Sequence, residues 1–404
     1  MKAFRSGLAF ACCALIALLL PMSGSAAPTG EPYTIDVLIS LTGGAAFLGA
    51  GQKTALELLA DSVNKKGGIN GRPLRFNIQD DASNPSTALQ LATGMIERHS
   101  PIIIGGSISA TCRAVQPLIK ENTIQYCLSP AIVPAKGGYV FSSLISTPDL
   151  LVAVLRYARQ RGWKRIALLS STDASGQDGE NSLATVLAMP ENSGVHLVDT
   201  EHFGPADITL TAQVAHATAA NPQAIFVWTA GPAIGAALHA IHDLGSNLPV
   251  VCTTAGMTLE QMSAVAGVLP KGGLYFPATQ LQENSLLRPG PLRDAQDVFF
   301  KAFKDAGKTP QPTMGTAWDP GLIVVDALRH LGGNPTAKQL HDYIENLHGF
   351  PGIYSLYDFR DGLQRGMGVN AAVTAKWEPA QKWWIAVTGG GGKKLAPAPS
   401  RARS

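Results

Sequence analysis

The sequence is poor in charge and has few cysteines. Only 15% of its 404 residues are charged, against roughly 25% in an average domain, and 46% are apolar, which excludes a charge-driven disordered chain. The net charge of +3 is carried by the ends: without two basic residues near the start and four in the last twelve residues, 26 basic residues face 29 acidic ones. A nucleic-acid-binding protein needs a basic surface, so this mildly acidic body argues against nucleic acid as a partner.

Residues 1–27 have the pattern of a secretory signal peptide. Two basic residues precede an uncharged, largely apolar run over residues 8–20, and small residues follow up to a cleavage site after Ala26 or Ala27. A run of this length is too short for a membrane span, which takes about 20 apolar residues. We therefore expect the leader to be removed and the protein to be exported to the periplasm.

Three cysteines follow the leader: Cys112, Cys127 and Cys252. An oxidising compartment permits one disulfide, and Cys112 with Cys127 is the pair closest in sequence. Cysteine also behaves as a small buried hydrophobe, and this reading of all three is favoured over a disulfide. No CxxC spacing is present, so neither a zinc site nor a redox site is predicted. We expect no metal and no cofactor.

Catalytic signatures are also missing. The stretch GAGQKT has Gln52 where a phosphate loop has the glycine before its lysine. The stretch GGSIS lacks the last glycine of a nucleophile elbow. The neighbouring Asp80 and Asp81 could bind a metal or transfer protons, but a solvated turn before a helix is the favoured interpretation. The sequence therefore predicts a binding protein and not an enzyme.

Short β-rich runs alternate with amphipathic stretches from residue 33 onwards, and the alternation restarts near residue 150. This pattern predicts an α/β fold with two Rossmann-like lobes, each built on a parallel central sheet. Three later helical stretches need a sheet to cover, and the first lobe is one strand–helix unit short, so the chain is expected to cross between the lobes three times. The predicted division is lobe 1 over residues 31–145 and 277–348, lobe 2 over residues 146–276 and 349–388, and a disordered tail over residues 389–404.

Ligands of open α/β sheets lie beyond the carboxyl ends of the strands, and the loops predicted there are rich in hydroxyls and almost free of charge. Hydroxyls and free amides at helix starts suit a small carboxylate, although helix capping explains each loop taken singly. Phe47 is interpreted equally well as a lid or as a core residue, and Trp228 as a cavity wall or a buried strand residue. The loop residues singled out are Thr42, Phe47, Ser107, Ser109, Ala110, Thr111, Asp173, Ser175, Thr229 and Thr254.

The stretches ISLTGG, NKKGGINGRPL, DDASNPSTA, IIGGSISA and YCLSPA occur in this order. They resemble the leucine/isoleucine/valine-binding protein family, the periplasmic solute-binding components of ABC transporters. The resemblance runs from about residue 33 to residue 386. It implies the type I fold, with a ligand cleft between two lobes that close about a hinge, and a membrane permease and ATPase as partners. We expect a monomer.

The resemblance also implies roles for single residues. Ser109 would hold the ligand carboxylate, with Ala110 and Thr111 beside it, and Ala131 would contribute its backbone carbonyl. The next position, where the family has a threonine, is Val133 here and has no hydroxyl.

A further family feature is missing from the sequence. Amino-acid binders carry an acidic residue for the ligand ammonium in the loop that corresponds to residues 253–257, and this loop has none. An unpaired ammonium in a closed cleft would cost on the order of several kcal/mol. The sequence therefore favours a carboxylate without an α-amino group, and the STDASGQD loop is similar to that of binders of aromatic acids such as benzoates. A branched-chain amino-acid binder, which would need Asp173 or Glu260 for the ammonium, and a ligand sensor with a separate signalling partner are the alternatives.

Overall fold

Buried β-branched runs form the central strands of two sheets. Residues Ile102–Gly105 are buried at every position, and Arg165–Ser171 are buried at all positions but the first. Such continuous burial is typical of parallel strands that helices cover on both faces. The structure is a computed structural model and describes residues 27–395.

The strands of the described chain are β1 Tyr33–Ile39, β2 Leu74–Asp80, β3 Ile102–Gly105, β4 Ile124–Cys127, β5 Val140–Ser142, β6 Arg165–Ser171, β7 His196–Phe203, β8 Ala224–Trp228, β9 Val250–Cys252, β10 Leu274–Thr279, β11 His348–Pro351, β12 Leu356–Asp358, β13 Ala372–Glu378 and β14 Trp383–Ala386. The helices are α1 Ala46–Lys65, α2 Pro85–Glu97, α3 Ser109–Val115, α4 Thr147–Arg161, α5 Ala174–Leu187, α6 Thr211–Ala219, α7 Ala233–Asp243, α8 Leu259–Ala264, α9 Pro291–Asp305, α10 Gly315–Leu331 and α11 Ala337–Glu345.

The strands form one sheet in each lobe and a small third sheet. The first sheet has the order β2-β1-β3-β4-β5, and its strands are parallel. The second has the order β14-β13-β10-β9-β8-β6-β7, in which β13 and β14 form an antiparallel hairpin and β13 pairs antiparallel with β10. Strands β11 and β12 pair only with each other. The predicted α/β class with two lobes and parallel central sheets is confirmed.

The three helices that follow the second lobe cover the first sheet, as predicted. Phe299 of α9, Trp318 of α10 and Leu340 of α11 belong to the same buried cluster as the apolar residues of β1 and β3. Separate clusters fill the two faces of the second sheet. Each lobe therefore has its own hydrophobic core.

The chain crosses between the lobes three times, but two crossings differ from the predicted boundaries. The first lies at residues 143–146, between β5 and α4. The second follows β10, which belongs to the second sheet along its whole length, so lobe 1 resumes after residue 279 and not at 277. The third lies just before β13 and not at residue 348, because Ile353, Tyr357 and Phe359 pack in the core of lobe 1.

A buried carboxylate fixes this late segment in lobe 1. Asp319 of α10 is fully buried. Its oxygens accept hydrogen bonds from the backbone N–H groups of Ile353 (2.9 Å) and Tyr354 (3.1 Å) and from the hydroxyl of Tyr357 (2.9 Å). If residues 353–357 moved away from α10, these buried donors and the carboxylate of Asp319 would lose their hydrogen bonds, which costs free energy. The hydrogen bonds to Asp319 therefore hold the segment after β11 against α10.

The predicted disorder of the tail is wrong for residues 389–395. The carbonyl oxygens of Gly391 and Gly392 accept hydrogen bonds from Arg156 (2.7 Å) and Gln160 (2.8 Å) of α4. Both glycines have positive φ, and a Cβ at Gly392 would collide with the backbone of Ala153. The glycines that suggest a flexible tail therefore allow close packing instead. The predicted signal peptide over residues 1–27 lies outside the described residues except for Ala27, and so does the tail beyond residue 395.

Within residues 27–395, no helix is both long and apolar enough to cross a membrane.

We predict that Asp319→Ala lowers the free energy of unfolding by about 3 kcal/mol or more, because the donors from residues 353–357 lose their acceptor in a buried site. The midpoint of urea unfolding measures this loss. Asp305→Ala, which removes an exposed carboxylate paired with Lys301 one turn away, is the control and should change stability by less than about 0.5 kcal/mol. Equal effects of the two substitutions would contradict the assigned role of Asp319.

A second prediction concerns Glu283, which follows β10 at the second crossing. Burial raises the pKa of its carboxyl from the ordinary value of 4.5 to about 7. The folded state therefore holds this proton more tightly than the unfolded chain, and the contribution of Glu283 to stability falls as pH rises from about 4.5 to 7. Glu283→Gln should raise the melting temperature at pH 8 and leave it almost unchanged at pH 4.5. The exposed Glu260→Gln serves as control, and a variant that tracks the wild type at both pH values would disprove this prediction.

Candidate functional site

The carboxyl ends of the strands of both sheets face a cavity between the two lobes. The cavity contains about 790 Å³ of space between atoms, including the open solvent at its mouth. Loops after β3, β4, β6, β8, β9 and β10 contribute to its walls, together with α1 of lobe 1 and α4 of lobe 2. Parallel sheets bring the loops at one edge together, and here two such edges oppose each other.

On the lobe 1 side, Ser107 belongs to a buried hydrogen-bond network. Its hydroxyl accepts from the backbone N–H of Ser40 (3.0 Å) and donates to Oε1 of Gln52 (2.6 Å). The amide of Gln52 donates in turn to Thr316 (3.1 Å). This network holds the loop after β3 against α1 and α10, so the hydroxyl proton of Ser107 is already used within the protein.

Ser109 and Ser129 form a pair of hydroxyls in the cavity wall. Their Oγ atoms are 2.9 Å apart and both residues are buried. Only one of the two hydroxyls donates within this pair, which leaves the proton of the other available for an acceptor in the cavity. Ser109 is the first residue of α3, and Ser129 directly precedes Pro130 and Ala131, which also line the cavity.

The sequence allows but does not favour a disulfide between Cys112 and Cys127, and this bond is present in the structure. It joins the two segments that carry Ser109 and Ser129. Cys112 of α3 is bonded to Cys127 of β4, with a Cα–Cα distance of 5.8 Å. The favoured interpretation of three buried thiols is therefore wrong for this pair, and only Cys252 is a free buried cysteine among the described residues. Because Cys112 is three residues after Ser109 and Cys127 two residues before Ser129, the bond limits how far the two hydroxyls can separate.

Ala131 and Val133, which follow Ser129, do not have the positions that their predicted roles require. The carbonyl oxygen of Ala131, which lines the cavity, already accepts a hydrogen bond from Arg113 (2.9 Å). Val133 is 89% exposed and lies in a separate outer groove with Arg365. The chain turns outward after Ala131, and the structure therefore puts Val133 outside the cavity.

On the lobe 2 side, Asp173 caps a helix and does not line the cavity. Its Oδ1 accepts from the backbone N–H groups of Ser175 and Gly176 (3.1 Å each) and from the hydroxyl of Ser171 (2.7 Å). A carboxylate engaged at the start of a helix is held in place, and Asp173 is held outside the cavity wall. Ser175, two residues later, does line the cavity.

The carboxylate in the cavity wall belongs to Asp178. It lies on α5, one turn beyond the cap, and is the only charged residue in the wall among the residues that the structure describes. Its Oδ2 atom is buried and has no hydrogen-bond partner in residues 27–395. Burial raises the pKa of Asp178, against smaller opposing effects of the nearby Thr147 hydroxyl and of the charges of Arg113 and Arg365.

An indole ring lies beside Asp178 in the same wall. Trp228 is the last residue of β8, is 5% exposed and lines the cavity. Any Cβ at Gly179 of α5 would collide with the five-membered ring of this indole. The missing side chain therefore lets α5 approach the ring closely, and Trp228 is both a buried strand residue and a cavity wall.

The remaining predicted residues lie outside the cavity. The Thr42 hydroxyl donates to Asp80 (2.7 Å). Ala110 and Thr111 lie in the first turn of α3 behind Ser109, and the Thr111 hydroxyl donates to the carbonyl of Ile108 (3.2 Å). Thr229 is fully buried, and its carbonyl accepts from Thr253 (2.7 Å).

Phe47 and Glu260 share another groove. Phe47 belongs to α1 of lobe 1, and it lines this groove together with Pro232, Ile234 and Glu260 of lobe 2, so the groove lies between the lobes and apart from the cavity. Phe47 is half-buried and outside the buried core, so the core interpretation is wrong and the lid interpretation stays a prediction; Glu260 does not line the cavity. Of the predicted residues, the structure brings together Ser107, Ser109, Ala131, Ser175 and Thr254 in the cavity wall.

Asp80 and Asp81 accept hydrogen bonds from the loop after β1. Asp81 is fully buried, and its Oδ1 accepts from the Ser40 hydroxyl (2.6 Å) and from the backbone of Ser83 (2.8 Å). The interpretation of a solvated turn is wrong for Asp81, because its carboxylate ties the loop after β1 to the loop after β2. No cluster of three or more metal-binding side chains occurs in the described part of the chain.

Several wall residues were not singled out from the sequence. They include Gln52 of α1, which the sequence shows only as a departure from the phosphate-loop pattern, and Gln282 in the segment after β10. The Nε2 atom of Gln282 is buried without a hydrogen-bond partner among the described residues. Asp178 follows the loop after β6 within one turn, so extending each loop by one helical turn would have found it.

Comparisons with known proteins place this geometry in a family. A model of the periplasmic binding protein family matches residues 32–382. A Leu/Ile/Val-binding protein of Rhizobium johnstonii is 22% identical over 223 residues, which is 54% of this chain and 60% of that protein. The matched region thus spans less than two thirds of this relative's length.

Solved structures of the same fold carry two kinds of ligand. A branched-chain amino-acid substrate-binding protein of Streptococcus pneumoniae in complex with isoleucine superposes with a TM-score of 0.74 at 15% identity, over 88% of this chain and 99% of that one. A solute-binding protein of an ABC transporter from Rhodopseudomonas palustris in complex with 4-hydroxybenzoate superposes with a TM-score of 0.71 at 15% identity, over 92% and 99%. At this identity the likeness shows the fold alone.

We predict that the double variant Cys112→Ser/Cys127→Ser is less stable than the wild type and binds its ligand more weakly. A disulfide that closes a loop of about 15 residues contributes roughly 3 kcal/mol, and its loss frees Ser109 and Ser129 to separate. Differential scanning calorimetry and ligand titration with and without dithiothreitol measure both effects. Reductant should lower the melting temperature of the wild type but not that of the double variant.

Cys252→Ala is the matched control, because it removes a buried sulfur that lies in no disulfide. It should keep the response to reductant. If the double variant bound ligand as tightly as the wild type, the bond would have no role in positioning the two serines.

Proposed function

We propose that this chain, which belongs to the periplasmic binding protein family, captures a small aromatic carboxylate between its two lobes as the solute-binding component of an ABC importer. Family membership rests on the match over residues 32–382. The importer, with its membrane permease and ATPase, and the ligand class are the proposed parts. Release of the ligand unchanged to a permease would require no catalytic group.

The carboxylate of the ligand would bind at the Ser109–Ser129 pair. Hydroxyl donors that face an anion form charge-assisted hydrogen bonds, which are stronger than neutral ones. No basic side chain lines the cavity among the described residues, so the anion would be recognised by neutral donors. This matches the sequence-based expectation for Ser109.

The body of the ligand would occupy the apolar part of the cavity. Trp228 offers an aromatic face, and small-molecule sites are commonly lined by apolar and aromatic side chains with few polar groups. Further apolar and aromatic wall residues include Leu48, Ile108, Leu128, Leu144, Leu150, Met257 and Tyr354. The observation that carries the proposal is this division of one cavity into a hydroxyl pair and a largely apolar wall.

Closure about the hinge would bury the ligand. The first and third crossings are connected by a small apolar cluster of Ile145, Leu150, Ala153, Ala371 and Ala372. Rigid lobes joined by a few segments at one side are the usual arrangement for hinge closure around a ligand. We therefore propose that the lobes move as bodies and that the hydroxyl pair and Trp228 approach each other in the closed state.

A branched-chain amino acid is the second candidate, and Asp178 favours it. The sequence argument against an α-ammonium rests on the lack of an acid in the ligand loops, yet the cavity wall contains the carboxylate of Asp178. The residues first considered for this role, Asp173 and Glu260, do not line the cavity. Relatives named for leucine, isoleucine and valine add weight to this alternative.

A ligand panel tests the two candidates. The protein without its leader is unfolded and refolded to remove carried-over ligand, and is then titrated with benzoate, hydroxybenzoates, leucine, valine and phenylalanine. A ligand at about 100 times its Kd stabilises the protein by about 2.7 kcal/mol, or roughly 2–4 °C in melting temperature. We expect shifts with the aromatic acids, and shifts with the amino acids alone would refute the aromatic proposal.

Ser109→Ala tests the carboxylate position. Loss of a hydroxyl that donates to an anion should raise the Kd roughly tenfold to a hundredfold, as measured by isothermal titration calorimetry. Ser86→Ala changes a serine in the first turn of α2 that does not line the cavity, and it should leave the Kd unchanged. Binding by Ser109→Ala as tight as that of the wild type would remove Ser109 from the site.

A further inference from the structure

Asp178 is half-buried, and one of its two carboxylate oxygens is shielded from water. Its Oδ2 atom is buried and unpaired among the described residues. A buried acceptor left unpaired costs free energy that a donor on a ligand can recover. An ionised carboxylate can accept about four hydrogen bonds, so the capacity of this group is largely unused.

Arg113 and Arg365, whose charges act on Asp178, form their hydrogen bonds with other groups. Arg365 is 8% exposed, and its guanidinium donates to the Ser142 hydroxyl (2.8 Å), to the Leu144 carbonyl (2.7 Å) and to the carbonyls of Pro130 and Ile132. Arg113 donates to the Ala131 carbonyl (2.9 Å). Both arginines therefore hold the loop after β4 and form no salt bridge with Asp178 in the described part of the chain.

The charges of Arg113 and Arg365 influence which kind of donor can form a hydrogen bond with Asp178. Their charges act on Asp178, and they would repel a cationic group brought to the same carboxylate. An ammonium also needs acceptors for three N–H donors, whereas a hydroxyl needs one. A neutral hydroxyl therefore suits this place better than an ammonium.

The indole of Trp228 suits a ligand whose hydroxyl is attached to an aromatic ring. Trp228 lies against α5 at Gly179, the residue next to Asp178. A ring in contact with this indole would have Asp178 at its edge, and the hydroxyl pair of Ser109 and Ser129 is on the opposing lobe. The serine pair and Asp178 therefore line the same cavity from opposing lobes, together with the indole of Trp228.

We infer that Asp178 is a specificity-determining residue that accepts a hydrogen bond from a ring hydroxyl, so that the site prefers hydroxylated aromatic carboxylates over unsubstituted ones. The inference rests on the proposed function, because it assumes an aromatic acid in this cavity. It adds the second polar group of the ligand and the residue that recognises it.

The experiment compares benzoate, 3-hydroxybenzoate and 4-hydroxybenzoate by isothermal titration calorimetry on the refolded full chain without its leader. For the wild type, at least one hydroxybenzoate should bind roughly tenfold or more tightly than benzoate, as expected for a hydrogen bond to a charged acceptor. Asp178→Leu, which keeps the approximate size of the side chain, should abolish this ratio and leave the benzoate Kd within about threefold.

Two further variants keep the result interpretable. Asp178→Asn preserves the shape and one acceptor oxygen, so it should fold if Asp178→Leu does not and should retain part of the preference. Asp149→Asn is the control: Asp149 lies in the outer groove with Asp178 but not in the cavity, and the variant should keep the full ratio.

The outcomes separate the two levels of the argument. Equal Kd values of benzoate and both hydroxybenzoates in the wild type, or a ratio that survives in Asp178→Leu, would overturn the inference and leave the aromatic proposal standing. Tight binding of leucine that Asp178→Asn abolishes would overturn both, because Asp178 would then serve an ammonium. Failure of all aromatic acids to bind would likewise overturn the proposed function and the inference with it.

Discussion

The whole site depends on one constraint of parallel sheets: every loop at the carboxyl edge of a strand emerges on the same side. A right-handed crossover returns the chain to the opposite edge before the next parallel strand begins. The loops of each lobe therefore gather along one edge, and the three crossings set the two edges face to face. Without this arrangement, Ser109 of lobe 1 and Asp178 of lobe 2 would have no cavity in common.

Most polar groups near the cavity are already satisfied, and this determines what the cavity can recognise. Ser107 donates a hydrogen bond to Gln52, and Asp173 caps α5. The guanidinium of Arg365 donates hydrogen bonds to backbone carbonyls and to a hydroxyl. Burial lowers the pKa of Arg365 only to about 10, so the side chain remains protonated at neutral pH. These groups stiffen the walls, and the unused hydrogen-bonding capacity of buried wall groups lies with the serine pair, Thr147, Asp178 and Gln282 among the described residues.

The disulfide and the buried carboxylate of Asp319 solve the same problem in different places. Each joins segments that are not held together by a shared strand pairing. Cys112–Cys127 restrains the two serine loops, and Asp319 restrains residues 353–357 against α10. A flexible hinge requires rigid lobes on either side, because an effector or ligand can only bias an equilibrium between well-defined arrangements.

The sequence by itself determined the α/β class, the two lobes, the three returning helices and the hydroxyl character of the ligand loops, because these follow from local periodicity and residue type. It could not determine which loop residues face the cavity. Whether a side chain such as Asp173 caps a helix or one such as Asp178 enters the wall depends on its angle on α5, and whether Val133 points inward depends on where the chain turns. The disulfide, the third crossing and the packing of residues 389–395 likewise depend on contacts between distant segments, which only the tertiary structure decides.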